Sequence, residues 1–209
     1  SYSYPACIGT PKTFTITVNP TPVGSASPQT ICDETASNIA LNSTVTGTTY
    51  TWSAAIQTTP TGGTITGFSD CASACGTSIA QTLTNTGTTS GVVRYTVTPT
   101  ANGCAGAPFT VDVTINPTPN AVATPASQTI CSANAISTIV LSGAVSGTTY
   151  AWTRDNTASA TGIAASGSGN ISGNLTNTTN APVTVTFTIT PSANSCPGAA
   201  ITATVLVNP

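Results

Sequence analysis

The feature that most constrains this chain is that it repeats itself. VRYTVTPTANGCAGAPFTVDVTINPTP at 93–119 returns as VTFTITPSANSCPGAAITATVLVNP at 185–209, and its tail already stands at 12–22 as KTFTITVNPTP. The front half repeats too: SPQTIC (27–32) matches ASQTIC (126–131), and VTGTTYTW (45–52) matches VSGTTYAW (145–152). Self-similarity at a fixed period means one structural unit used again, with each copy in contact with its neighbours. One complete unit is expected over 20–117 and a second over 118–209. Residues 1–19 match only the end of a unit, as the last strand of a preceding repeat or as a strand donated to another subunit.

Within each unit the apolar period is two. Val93, Tyr95 and Val97 alternate with Arg94, Thr96 and Thr98, and Phe109, Val111, Val113 and Ile115 alternate with Thr110, Asp112 and Thr114. Such alternation predicts strands with one face buried and one wet. Nothing shows a helical period, and Gly, Asn and Pro punctuate the strands. The expected fold is all-β, two tandem two-sheet sandwiches. The first core should include Ile39, Leu41, Trp52, Val93, Tyr95, Val97, Phe109, Val111, Val113 and Ile115. The second should include Leu141, Trp152, Val185, Phe187, Ile189, Val205 and Val207. Trp52 and Trp152 share the inward parity of Tyr50 and Tyr150, so both read as core aromatics rather than as exposed platforms for stacking a sugar.

Composition removes most chemistry. There are three Lys and Arg, five Asp and Glu and no His, for a formal net charge of -2. Without His there is no Ser-His-Asp arrangement and no histidine metal centre. Asp33, Glu34, Asp70, Asp112 and Asp155 are scattered, and no acidic pair recurs between units. Asp33-Glu34 is the one adjacent acidic pair, but a calcium site needs several converging oxygens and the second unit has Ser132-Ala133 there. The chain reads as a non-enzyme without a cofactor. It has no basic footprint for nucleic acid and no apolar run near the ~20 residues that span a bilayer. Sequons at Asn42, Asn174 and Asn177 arise easily in a sequence so rich in Asn and Thr.

Seven cysteines in a chain with so few charged residues point to an oxidising compartment. Cys7, Cys104 and Cys196 occupy one repeat position, Cys32 and Cys131 another. Cys71 and Cys75 stand apart, in the FSDCASACGTS stretch (68–78) that enlarges the first unit, and their spacing suits a local loop disulfide. Pro20, Pro22, Pro117 and Pro119 end the terminal strands and favour short extended connections.

The ordered set QTIC, TY-x-W, TPTANGC and TFTITVNPTP resembles the PKD-like, immunoglobulin-like repeats of giant cell-surface proteins of Bacteroidetes, among them adhesins of gliding bacteria. The resemblance covers nearly the whole chain. It implies tandem immunoglobulin-like β-sandwiches, display outside the cell, and a role as spacer repeats that present distal binding domains of a long adhesin or filament. The partners would be neighbouring repeats of the same chain. Two alternatives stand beside that role: a carbohydrate- or protein-binding module, and a filament subunit joined by strand donation. In the last, Phe14, Ile16 and Val18 form the donor face.

For the disulfides, duplication without dependence on neighbours favours Cys32 with Cys104, Cys131 with Cys196, and Cys71 with Cys75. A junction-spanning alternative joins Cys7 to Cys32 and Cys104 to Cys131. The within-unit pairing meets an objection: the end of the first strand and the turn before the last lie at opposite poles of an immunoglobulin-like sandwich, whereas bridged Cα atoms lie within about 7 Å.

Overall fold

The computed structural model describes residues 9–73 and 75–209. Within them the chain is strands and turns, with no helix, and the strands enclose two separate hydrophobic cores, one drawn from Ile31 to Ile115 and one from Ala123 to Val207. The chain is all-β, in tandem immunoglobulin-like sandwich repeats.

In the first unit the long strands Thr49–Thr58, Gly91–Ala101 and Phe109–Asn116 form one antiparallel sheet, with Gly91–Ala101 in the middle. Gln29–Cys32 joins its edge in parallel, against the last strand, with Cys32 opposite Asn116. The facing sheet is built from short pieces. Gly24–Ser25 pairs with Asn42–Ser43, Ile39–Ala40 with Ser78–Ile79, and Thr82–Asn85 with both Thr35–Ala36 and Ile65–Thr66. The first strand therefore begins on one sheet and crosses to the other before Gln29.

The second unit repeats this plan. Thr149–Arg154, Val183–Ala193 and Ile201–Asn208 make the long sheet, Ser127–Cys131 lies parallel to the last strand, and Cys131 stands opposite Asn208. Val122–Thr124 pairs with Val140–Ser142 on the other sheet.

Alternation decides what is inside. Val93, Tyr95, Val97, Val113 and Ile115 are fully buried in the first core, and Val185, Phe187, Ile189, Val205 and Val207 in the second, with Val111, Ile39, Leu41 and Leu141 also buried. Phe109 differs from the expectation. It is only partly buried, because it opens its strand at the end of the sandwich, where its ring lies over Gly24; a Cβ on Gly24 would come within 2.3 Å of it. The facing sheet supplies Ile65, Ile79 and Leu83 in the first unit and Ile139, Ile171 and Leu175 in the second, all essentially inaccessible. Apolar burial on this scale, about 25 cal/mol per Å2, is what holds each unit together. The last strands stop at Asn116 and Asn208, directly before Pro117 and Pro209, whose nitrogens have no hydrogen to donate to a ladder.

Candidate functional site

Cys32, Asp33 and Cys196 meet at the junction between the two units. Cys32 closes the first strand of unit one at the end from which the chain leaves for unit two. Cys196 follows the tight turn between Val183–Ala193 and Ile201–Asn208, at the end of unit two that faces back. The two sulfurs are bonded, with Cα atoms 5.6 Å apart and 164 residues between them in sequence.

The pairing expected within each unit, Cys32 with Cys104 and Cys131 with Cys196, is therefore corrected, and so is the alternative that joined Cys7 to Cys32 and Cys104 to Cys131. Cys104 and Cys131 are unbonded, half-exposed and exposed respectively. Cys7 lies outside the described residues. The reason is polarity. The two cysteines of one unit sit at opposite poles, and only the outgoing pole of one unit and the incoming pole of the next meet. Cys71 and Cys75 are bonded to each other, with Cα atoms 5.8 Å apart.

Other contacts fix the junction. The Asn116 side-chain amide donates to the Asn194 carbonyl at 3.4 Å, linking unit one to the turn that carries Cys196. Gly198 packs so closely beneath the linker that a Cβ there would lie 1.8 Å from the Pro119 carbonyl oxygen. Pro117 and Pro119 are both buried. Asp33, next to Cys32, accepts the Asn85 backbone N–H at 2.7 Å on one carboxylate oxygen and the Thr118 hydroxyl at 3.2 Å on the other. Its carboxylate thus caps a strand and holds the linker. In the second unit the Ser132 hydroxyl accepts the Asn177 N–H at 3.0 Å in the same role. This explains how Asp-Glu and Ser-Ala can occupy one repeat position. Among the described residues no group of three or more His, Cys, Asp or Glu is placed to hold a metal ion, and no helix is long and apolar enough to cross a membrane.

Several structural residues are inconspicuous in the sequence. Asn85 and Asn177 are buried, and each amide donates to the last strand's carbonyl, at Ile115 (2.8 Å) and Val207 (2.9 Å). Asn177, which reads as a sequon, thus has its amide nitrogen committed. Arg154 is buried and donates to the carbonyls of Ile163, Ala164, Asp155 and Ala160. Burial pushes its pKa below the usual guanidinium value, with Asp155 acting the other way. Asp112, on the wet face of its strand, accepts two 2.8 Å hydrogen bonds from Arg94 directly across the ladder, which hold its pKa down.

Trp52 and Trp152 are buried, and their indole N–H groups donate to Ser69 (3.2 Å) and Gly169 (3.1 Å) carbonyls. A shallow depression lies over each, lined in part by Thr96 and Thr98 in one unit and Thr188 and Thr190 in the other. Phe14, Ile16 and Val18 are 84%, 74% and 85% exposed and pair with no strand among the described residues.

Comparison with known proteins follows the same architecture. The profile described as "PKD-like domain" matches twice, over 29–119 and 128–209. No curated protein matches by sequence. Among solved structures, the crystal structure of DIP-gamma IG1+IG2 is similar at 9% identity and TM-score 0.41, over 90% of this chain and 97% of that one. Drosophila OTK extracellular domains 3–5 align at 11% identity and TM-score 0.41, over 88% and 59%. The fibronectin(III)-like modules of Clostridium thermocellum CbhA align at 9% identity and TM-score 0.34, over 89% and 94%. At these identities and TM-scores nothing of their function passes to this chain.

Proposed function

Since the chain belongs to the PKD-like domain family through both of its units, we propose that it is a stretch of structural spacer repeats from a long secreted surface protein. An adhesin or filament of the gliding-bacterium type in Bacteroidetes, holding distal binding domains away from the cell, suits it best. The observation that carries this reading is the bond from Cys32 to Cys196. A linker of five residues (117–121), even with two prolines, leaves some bending freedom. A covalent tie beside the linker, at a separate point of contact, removes most of it. A load passing along the chain would then cross the junction by two routes. Disulfides persist in oxidising compartments, in keeping with display outside the cell.

The segment of residues 12–18 supports the same reading. Phe14, Ile16 and Val18 occupy the repeat positions of Val111, Val113 and Ile115, which are buried in unit one. They carry the inner face of a last strand whose own sandwich would be a preceding repeat. Strand donation between subunits would use that same face.

Small-angle scattering of proteins lengthened repeat by repeat should give a maximum dimension that rises in equal steps. A dimension that levels off as repeats collapse on one another would overturn the spacer role. The depressions over Trp52 and Trp152 favour a second reading, a glycan-binding module, because they recur at equivalent positions with hydroxyls around them. Glycan-array binding lost when Thr188 and Thr190 become Val would establish it.

A further inference from the structure

Cys104 and Cys131 stand unbonded, yet each occupies the backbone position of a bonded partner. Cys104 pairs across its hairpin with Ala101 as Cys196 pairs with Ala193, and Cys131 stands opposite Asn208 as Cys32 stands opposite Asn116. We propose that these two thiols are open halves of the same bond. Each first-strand cysteine would be bonded to the hairpin cysteine of the following repeat, so that Cys104 takes a preceding PKD-like unit and Cys131 a following one. This deepens the spacer reading and rests on it.

A second set of contacts, independent of the sulfurs, shows that half of such a junction is already built in front of unit one. Asn19 and Pro22 hold the repeat positions of Asn116 and Pro119. The Asn19 amide donates to the Asn102 carbonyl at 3.1 Å, as Asn116 does to Asn194 at 3.4 Å. A Cβ on Gly106 would lie 2.0 Å from the Pro22 carbonyl oxygen, as one on Gly198 would lie 1.8 Å from that of Pro119. Pro22 is buried like Pro119, whereas Pro20 is exposed where Pro117 is buried. The tail of 12–22 is thus seated on the incoming end of unit one in the pose that the end of unit one adopts on unit two.

That pose fixes where the missing sulfur would arrive. In unit one the first-strand cysteine lies beside Asn116 in parallel register. The equivalent cysteine of a preceding unit would lie beside Asn19, which touches the turn that ends at Cys104. Cys196, bonded to the first strand of unit one, is 1% exposed, whereas Cys104 is half-exposed.

Forming each bond is a two-electron oxidation, which a low-molecular-weight disulfide such as oxidised glutathione supplies. One cysteine thiolate attacks a glutathione sulfur and releases one glutathione thiolate. The second cysteine thiolate then attacks the mixed disulfide, forming the protein bond and releasing the other.

The test extends the full chain by one of its own units: a copy of residues 21–117 follows Pro209 and restores the Asn-Pro-Thr-Pro junction. The original unit carries C104S and the appended copy C32S, so that each peptide has one origin. After equilibration with a glutathione redox buffer, free thiols are alkylated and disulfide peptides mapped without reduction. Cys131 should be joined to the appended Cys104, with Cys131 alkylation falling at least tenfold relative to the unextended protein, while Cys32–Cys196 forms as before. Cys131 still alkylated beside an intact Cys32–Cys196 bond, or Cys104 bonded elsewhere, would overturn the proposal and leave the spacer reading standing. Absence of both bonds would overturn the junction itself, and the proposal with it.

Discussion

Units one and two place a tryptophan at the same point of the same strand and then hold the neighbouring chain against it by different means. In unit one the segment beside Trp52 is the enlarged loop. Cys71 exchanges both backbone hydrogen bonds with Trp52, the Cys71–Cys75 bond closes the loop, Asp70 accepts the Ala54 N–H, and Gln81 reaches Ser69. In unit two the neighbour is a regular strand, Ser166–Ser168, so close that a Cβ on Gly167 would lie 2.3 Å from the Trp152 ring. The segment leading to it is gathered by the Arg154 guanidinium, where unit one has Ala54. Both units cover the edge beside the tryptophan, one by a covalent clip with amide side chains and the other by a single buried cation on carbonyls.

Removing the tryptophans themselves should have the largest effect. Trp52→Ala and Trp152→Ala should each destabilise their own unit by about 3–5 kcal/mol, seen by calorimetry as one of two transitions moving while the other stays. Trp152 also packs edge-on to Phe187, with ring centroids 5.7 Å apart, so the comparison sharpens if its loss is the larger. Equal movement of both transitions in either variant would mean that the units do not unfold separately.

Next comes Arg154→Met, which leaves several carbonyls without a donor. At ~1–3 kcal/mol for a buried acceptor left unpaired, partly relieved by water, the loss should be roughly 2–4 kcal/mol and confined to unit two. Each unit has one tryptophan, so W52F and W152F backgrounds give unit-resolved fluorescence in denaturant. A loss read by Trp52 instead would break the assignment.

Opening the small clip with the double variant C71S/C75S should cost unit one about 2 kcal/mol, the size expected for so short a closed loop, with unit two unmoved. A smaller loss would assign the holding of the edge to Asp70 and Gln81.

The smallest effect separates Tyr95 from Phe187, its repeat partner. The Tyr95 hydroxyl donates to Gln81 at 2.8 Å, and burial pushes its pKa up to about 12 from 10.0. The fold favours the protonated phenol. Its contribution is fully present below pH 10 and is lost as pH rises through about 12. Alkaline titration should unfold unit one before unit two, and Tyr95→Phe should narrow that gap, with burial of Tyr50 still acting in the same direction, at a cost of about 1 kcal/mol near neutrality.

Much of the core was legible because the long strands carry an unbroken period of two, so that Val93 to Val97 or Val111 to Ile115 declare their inner face. The opposite sheet was not, since its pieces are mostly two to four residues long and Ile65, Ile79, Ile139 and Ile171 show no alternation. Arg154 did carry a signal: it shares the inward parity of Tyr150 and Trp152, which charge alone argues against. The cysteine positions could be read from the repeat, but their pairing could not. Pairing depends on which pole each position occupies and on which poles meet, and both are properties of the assembled units rather than of one cassette.

The Cys32–Cys196 disulfide is a lock between units. Non-reducing peptide mapping of the oxidised chain, with free thiols alkylated first, tests it most directly. A peptide pair joining Cys32 to Cys196 is expected, with Cys104 and Cys131 alkylated. A pair joining Cys32 to Cys104, with Cys131 joined to Cys196, would contradict it and return each unit to its own clip.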